Sequence, residues 1–252
     1  MSILDSLKLE DINKLFLHET YEPSRVEKTI EEIRRDGFLR HPVIVTKMKA
    51  DEYLVLDGVH RVTALKKLGM TNVPIQIVEK GDFSFNSWHH LVSSDNWYKE
   101  LIHRYAFFSS DNENPKLSVE IINDEGEKTF IQIGGKEEYV LKVWHSIVSS
   151  YTKSNIVISR VLPGEYQEIE KGKILVKYSS FTYETIHKLV KKGNLLPAGV
   201  TRVKVNERLL NLKIPLKILS QYNHHEESWL AFLNKKEESL RLYTERVYLC
   251  EL

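Results

Sequence analysis

The sequence predicts a mixed α/β (α+β) protein, and two patterns carry that prediction. In the first eighty or so residues, stretches with apolar positions at helical spacing alternate with short runs rich in β-branched residues. In the second half, two runs of alternating apolar and polar residues flank a turn and lead into a long amphipathic stretch.

Leu7 to Leu17 suits a short strand, and Glu22-Pro23 suits a helix start, with proline in the first turn. Val26, Ile30 and Ile33 then recur at helical spacing, and Gly37 stands where a C-terminal cap belongs. Pro42–Met48 and Tyr53–Leu56 read as strands joined through the polar tip Lys49–Glu52, and the second ends at Asp57-Gly58. His60–Leu68 returns to helical spacing and closes at Gly69, before a strand at Val73–Val78. From Gly81 to Tyr105 the chain is aromatic and irregular and is expected to pack over the first unit.

The polar stretch Ser109–Lys116 marks a surface loop or a boundary, so the expected organisation is a domain over 1–110 and a second, α+β domain over 111–252. There, Leu117–Ile122 and Lys128–Ile133 form a hairpin around Asn123–Gly126, and Tyr139, Val143, Trp144, Ile147, Val148 and Tyr151 mark a helix. Ile156–Val161 and Ile174–Tyr178 read as strands, and Thr182–Lys192 as a helix ending at Gly193. Pro197-Ala198-Gly199 leads into a strand at Thr201-Arg202, a helix contains Trp229, Leu230 and Leu233, and a last strand spans Arg241–Leu249.

Composition narrows the function. Of 252 residues, 42% are hydrophobic and 28% charged, with no apolar run approaching a membrane span, so no membrane partner is expected. The start, Met1-Ser2-Ile3-Leu4-Asp5, carries no leader pattern, and a single cysteine, Cys250, excludes an internal disulfide framework; both point to the cytoplasm. A net charge of +1 gives nucleic acid no general hold. The adjacent pairs His89-His90 and His224-His225 lack the spacing by which helical metal ligands share a face. Walker, protein-kinase and Gly-x-Ser-x-Gly motifs are missing.

What remains is Tyr53 to Arg61, an apolar strand running through Asp57 and Gly58 into a helix at Val59, His60 and Arg61. Backbone N–H groups at a helix start favour an anion, and glycine lets a ligand approach the backbone. Asp57 suits a magnesium-bridged phosphate or its water; the plain alternative is an Asp-Gly turn beside surface side chains. Glu19 joins Asp57 at one edge if their segments are neighbours, so that one carboxylate handles metal or water and the other accepts a proton; otherwise it is a solvated loop residue. Thr201 and Arg202 suit a small acidic ligand or an ordinary strand entry, and Trp88 a pocket wall or core.

Glu31–Phe38, His41–Val45, Tyr53–Arg61 and Ala64–Gly69 resemble, in the same order, the ParB/sulfiredoxin nucleotide-binding fold. Sulfiredoxins carry cysteine before His-Arg, whereas Val59 stands here, which excludes their redox chemistry. With Leu17–Thr20, Pro197–Arg202 and Tyr243–Leu249 added, the chain resembles the free serine kinase branch, and within it the ParB-like kinases of staphyloferrin B type siderophore loci. The resemblance implies ATP-dependent phosphorylation of L-serine to O-phospho-L-serine, a precursor of diaminopropionate; an archaeal-type branch uses ADP. It makes Glu19 the general base and gives Asp57 an assisting role through magnesium or water. Gly58, Val59, His60 and Arg61 become the phosphate cradle, and Trp88, Thr201 and Arg202 the serine site. The competing reading is a ParB-like, nucleotide-dependent DNA-binding regulator of a siderophore locus; no helix-turn-helix pattern follows the motif.

Overall fold

The computed structural model describes residues 2–49, 51–105, 118–133, 135–153, 156–165, 168–220 and 225–244. The Ser109–Lys116 loop and the 110/111 boundary fall outside them, as do Cys250 and residues 245–249 of the expected last strand; residues 241–244 are not strand.

The chain is a mixed α/β structure around two sheets. The first has the order β1(Leu7–Asp11), β6(Asn72–Ile77), β4(Val43–Lys49), β5(Glu52–Asp57), β2(Leu15–Leu17). The single strand expected over 7–17 is therefore two, β1 and β2, separated by a 3-10 turn at Ile12–Lys14 that Asp11 caps. The sheet is mixed: β4 and β5 form the expected antiparallel hairpin, while β2 runs parallel to β5 with Leu17 opposite Val55.

Both faces of this sheet are covered, which is why β5 reads as a continuous apolar run. Tyr53 and Val55 face a core shared with α1(Pro23–Asp36) and α2(Val59–Lys67), while Leu54 and Leu56 join the core beneath the second sheet. Helix α1 buries Val26, Ile30 and Ile33, begins with proline in its first turn and ends on Gly37 at φ +72°.

The aromatic stretch over 81–105 is more regular than its sequence suggests: it forms β7(Phe83–Ser87), β8(His89–Ser93) and α3(Asn96–Tyr105). Strand β8 belongs to the second sheet, in the order β10(Lys128–Gln132), β9(Ser118–Ile122), β12(Lys173–Tyr178), β8, β11(Ser159–Val161). Strand β11 is shorter than the expected run from Ile156. Helix α4(Glu137–Thr152) buries Trp144, Ile147 and Tyr151 in the second core, and α5(Tyr183–Lys191) is capped by Thr182, whose hydroxyl accepts from the Thr185 N–H.

Strand β13(Thr201–Val205) pairs with β7, placing Thr201 opposite Ser87. The chain then returns to the first core, where Leu209, Leu212, Ile218 and Trp229 pack with α1 and α2. Gln76, buried in β6, pins this return by accepting from the Leu209 N–H at 2.9 Å and donating to the Glu207 carbonyl at 3.2 Å. Two-stranded pairing of β3(Phe38–Leu39) with β14(Ile214–Pro215) and the helices α6(Leu216–Ser220) and α7(His225–Glu237) complete the described chain. None of its helices is long and apolar enough to cross a membrane.

Candidate active site

A cavity of about 710 Å³ opens where the carboxyl ends of β2 and β5 meet the segment entering β13. Glu19, Asp57, Gly58, Val59, His60, Arg61, Trp88, Thr201 and Arg202 all line it. The parallel pairing of β2 with β5 brings Glu19 and Asp57 to one edge: with Leu17 opposite Val55, each carboxylate lies two residues further on.

Strand β5 leads into α2 through Gly58, which caps the helix at φ +105°, a conformation that favours glycine. The Val59 side chain is buried in the first core, so its contribution to the cavity is backbone at the helix start. His60 Nε2 accepts from the Glu22 N–H at 3.1 Å, and burial, then the charge of Arg25, lowers its pKa to about 4. It is a neutral imidazole whose Nδ1 carries the proton. Arg61 folds back over Gly58, donating to the Pro42 carbonyl at 2.5 Å and to Asp57 Oδ2 at 3.1 Å. Its guanidinium therefore steadies the strand-to-helix turn as well as lining the cavity.

Asp57 Oδ2 accepts a second charged bond, from Arg208 at 2.6 Å. Burial opposes ionisation of Asp57, but the arginines 61 and 208 outweigh it and lower its pKa to about 2. Glu19 behaves in the opposite way: burial dominates and pushes its pKa up to about 8, against the bond from Gly199 and the charge of Arg160. Two carboxylates at one edge are thus driven apart, one permanently charged and one able to exchange a proton near neutrality. His18 donates from Nδ1 to the Val55 carbonyl at 2.7 Å, and burial holds it neutral with a pKa of about 4, so its 3.9 Å approach to Glu19 is not an ion pair at neutral pH.

The loop before β13 grips the Glu19 segment. Thr20 donates its N–H to the Leu196 carbonyl at 2.8 Å, the Ala198 N–H reaches Thr20 Oγ1 at 3.0 Å, and the Gly199 N–H reaches Glu19 Oε2 at 3.1 Å. Beyond it, the Arg202 guanidinium lies 5.2 Å from the centre of the Trp88 ring, a cation–π contact that presents a flat, charged wall. Thr201 Oγ1 is buried with no hydrogen-bond partner among the described residues.

Sequence reasoning missed Arg25, Lys28, Arg40, Arg160 and Arg208, which also line the cavity. Arg160 bonds Glu22 at 2.8 Å from β11, and Arg208 reaches Asp57 from a segment without regular structure. No periodicity marks either residue; only the register of β11 with β8 and the Gln76 anchor place them. Against Glu19, Glu32, Asp36 and Asp57, the cationic excess makes the cavity an anion site. The lining also includes apolar residues, among them Ile33, Phe38, Leu39, Pro42 and Leu209.

Comparison with known proteins gives the family. Residues 2–86 match the family model of the ParB N-terminal domain. The ATP-dependent L-serine kinase SbnI of Staphylococcus aureus is 36% identical over 99% of this chain and 98% of its own. The structure of SbnI with C-terminal truncation superposes with a TM-score of 0.83 at 34% identity, covering 93% of this chain and 98% of that one. A free serine kinase in complex with AMP shares the fold, with a TM-score of 0.67 at 21% identity over 85% of this chain and 93% of that one. By its identity to SbnI along essentially the whole chain, this protein belongs to the family of ATP-dependent L-serine kinases.

Proposed function

We propose that this protein transfers the γ-phosphoryl group of ATP to the hydroxyl of free L-serine, giving O-phospho-L-serine. The observation that carries this reading is the pairing of a buried, proton-exchanging carboxylate, Glu19, with the helix start at Gly58–Val59 in one cation-rich cavity.

The nucleotide phosphates lie against the backbone N–H groups at the start of α2, where the helix dipole favours negative charge. The apolar part of the lining, with Phe38 and Leu209, receives the base. Thr201 and Arg202, with Trp88 behind the guanidinium, hold the serine carboxylate and so aim its hydroxyl at Glu19. Glu19 in its ionised form takes the hydroxyl proton as the oxygen attacks phosphorus, and the departing ADP leaves towards the α2 end. Arginines around the cavity, among them Arg160, whose charge acts on Glu19, offset charge on the transferred group.

Magnesium fits this site only as a nucleotide-borne ion, since no cluster of three or more ligating side chains occurs among the described residues. Both arginine bonds to Asp57 fall on Oδ2, and a single carboxylate with phosphates and water is the usual magnesium environment. When bound, the ion would neutralise phosphate charge, with Asp57 as its protein contact, directly or through water.

Residues 1–110 supply Glu19, Trp88 and the phosphate cradle, and residues 111–252 supply Thr201 and Arg202. The siderophore precursor role implied by the sequence resemblance makes a diaminopropionate-forming enzyme the consumer of the product. Amino-acid analysis after incubation with ATP and L-serine tests the reading: phosphoserine must form in step with ADP, and ADP release without it overturns the proposal.

A further inference from the structure

A hydrogen-bonded rod of buried polar groups runs from the second core to Gly199. His90, in β8 and 1% exposed, places Nε2 2.9 Å from the Gly199 carbonyl oxygen. A carbonyl only accepts, so Nε2 carries the proton and Nδ1 of the neutral ring is an acceptor. Nδ1 lies 2.7 Å from the Tyr151 hydroxyl, which lies 2.7 Å from the Tyr178 hydroxyl. The donors therefore run in one direction, from Tyr178 through Tyr151 and His90 to Gly199. Burial, which lowers the His90 pKa to about 4, keeps the ring in the neutral state that this order requires.

Gly199 is held at both polar ends, its carbonyl by His90 and its N–H by Glu19. Two and three residues later the chain delivers Thr201 and Arg202. An imidazole and two phenols are costly to bury among Trp97 and Trp144, and apolar side chains would serve folding alone at least as well. The network specifies one position of the glycine.

We propose that His90 is a positioning residue, which fixes Gly199 and thereby holds both the Glu19 carboxylate and the Thr201–Arg202 clamp in register for phosphoryl transfer. Its chemical consequence rests on the kinase reading above, whereas its geometric content does not.

Three variants test it. The side-chain amide of His90→Gln reaches the place of Nε2 and can still donate to Gly199, that of His90→Asn reaches only the place of Nδ1, and His90→Leu has neither. His90→Gln should keep kcat within about threefold of wild type. The Asn and Leu variants should lose about 10²-fold in kcat, the scale of a misplacement near 1 Å, and raise the serine KM while the ATP KM changes less than about twofold. The amide resonance of Gly199 in ¹⁵N-labelled protein should move in Asn and Leu and stay in Gln. An unmoved Gly199 signal in all three variants overturns the inference whatever the wild-type activity. A moved signal with wild-type kcat and serine KM overturns its catalytic consequence. If the Leu variant does not fold, equal behaviour of Gln and Asn overturns the proposal by itself.

Discussion

The N–H of Gly199 donates to Glu19 Oε2 at 3.1 Å across 180 residues of chain. This bond joins the two halves of the proposed reaction, proton acceptance and serine capture. Gly199 can make it because its backbone sits at φ +76°, and a Cβ there would collide with the Arg160 guanidinium. Gly199→Ala should therefore cost about 1–3 kcal/mol from the backbone strain and displace Arg160. Thermal unfolding and kcat measured on the same sample check this; an unchanged melting temperature with full activity would contradict it.

Glu19→Gln keeps the shape and can still accept from Gly199, but cannot take a proton. Its kcat should fall about 10²- to 10⁴-fold with nucleotide affinity nearly unchanged, as checked by calorimetry beside the rate assay. Turnover near wild type would remove Glu19 from the role of base. Stability should move the other way. The folded state raises the Glu19 pKa from 4.5 to about 8, so its contribution to stability is complete below about 4.5 and is lost as pH rises towards 8. Glutamine suffers no such loss, and the melting temperature of the variant should exceed that of wild type by a margin that grows from about pH 5 to pH 8.5.

In the same range, activity should need the ionised form. Asp57 at about 2 and His18 and His60 at about 4 have finished titrating. The wild-type kcat/KM should therefore rise with a single limb about tenfold per pH unit below about 8. Glu19→Gln should lose that limb. A limb centred near 4.5 would show that Glu19 is not held as the structure holds it.

Arg202→Ala removes the guanidinium stacked on Trp88 but leaves the α2 start untouched. The serine KM should rise about tenfold or more, the scale of a charged hydrogen bond, with the ATP KM nearly unchanged. Equal weakening of both substrates would argue against a serine clamp.

Much of this was legible because local rules coincided. Pro23, the Val26–Ile30–Ile33 spacing and Gly37 bound α1 correctly, and the doubly apolar run at Tyr53–Leu56 ended at the glycine that starts α2. The proximity of Glu19 and Asp57 was conditional on the sequence, since it depends on the long-range parallel pairing of β2 with β5. Strand β8 was hidden because the His89-His90 pair breaks its alternation, and β7 because its alternation, Phe83 and Phe85 against Ser84 and Asn86, lasts only five residues, although their pairing with β13, β11 and β12 is regular. Arg160, Arg208 and the His90–Tyr151–Tyr178 chain were invisible for a different reason: each acts on a residue remote in sequence, through contacts that only the tertiary packing creates.

Phosphorus NMR of the purified protein with magnesium, L-serine and ATP, run beside ADP as donor and D-serine and threonine as acceptors, tests the central claim most directly. The account predicts a new phosphomonoester signal with ATP and L-serine that grows as ATP is converted to ADP and is nearly abolished in Glu19→Gln. Nucleotide binding with no phosphoserine from any donor would contradict it and favour a nucleotide-controlled binding protein instead.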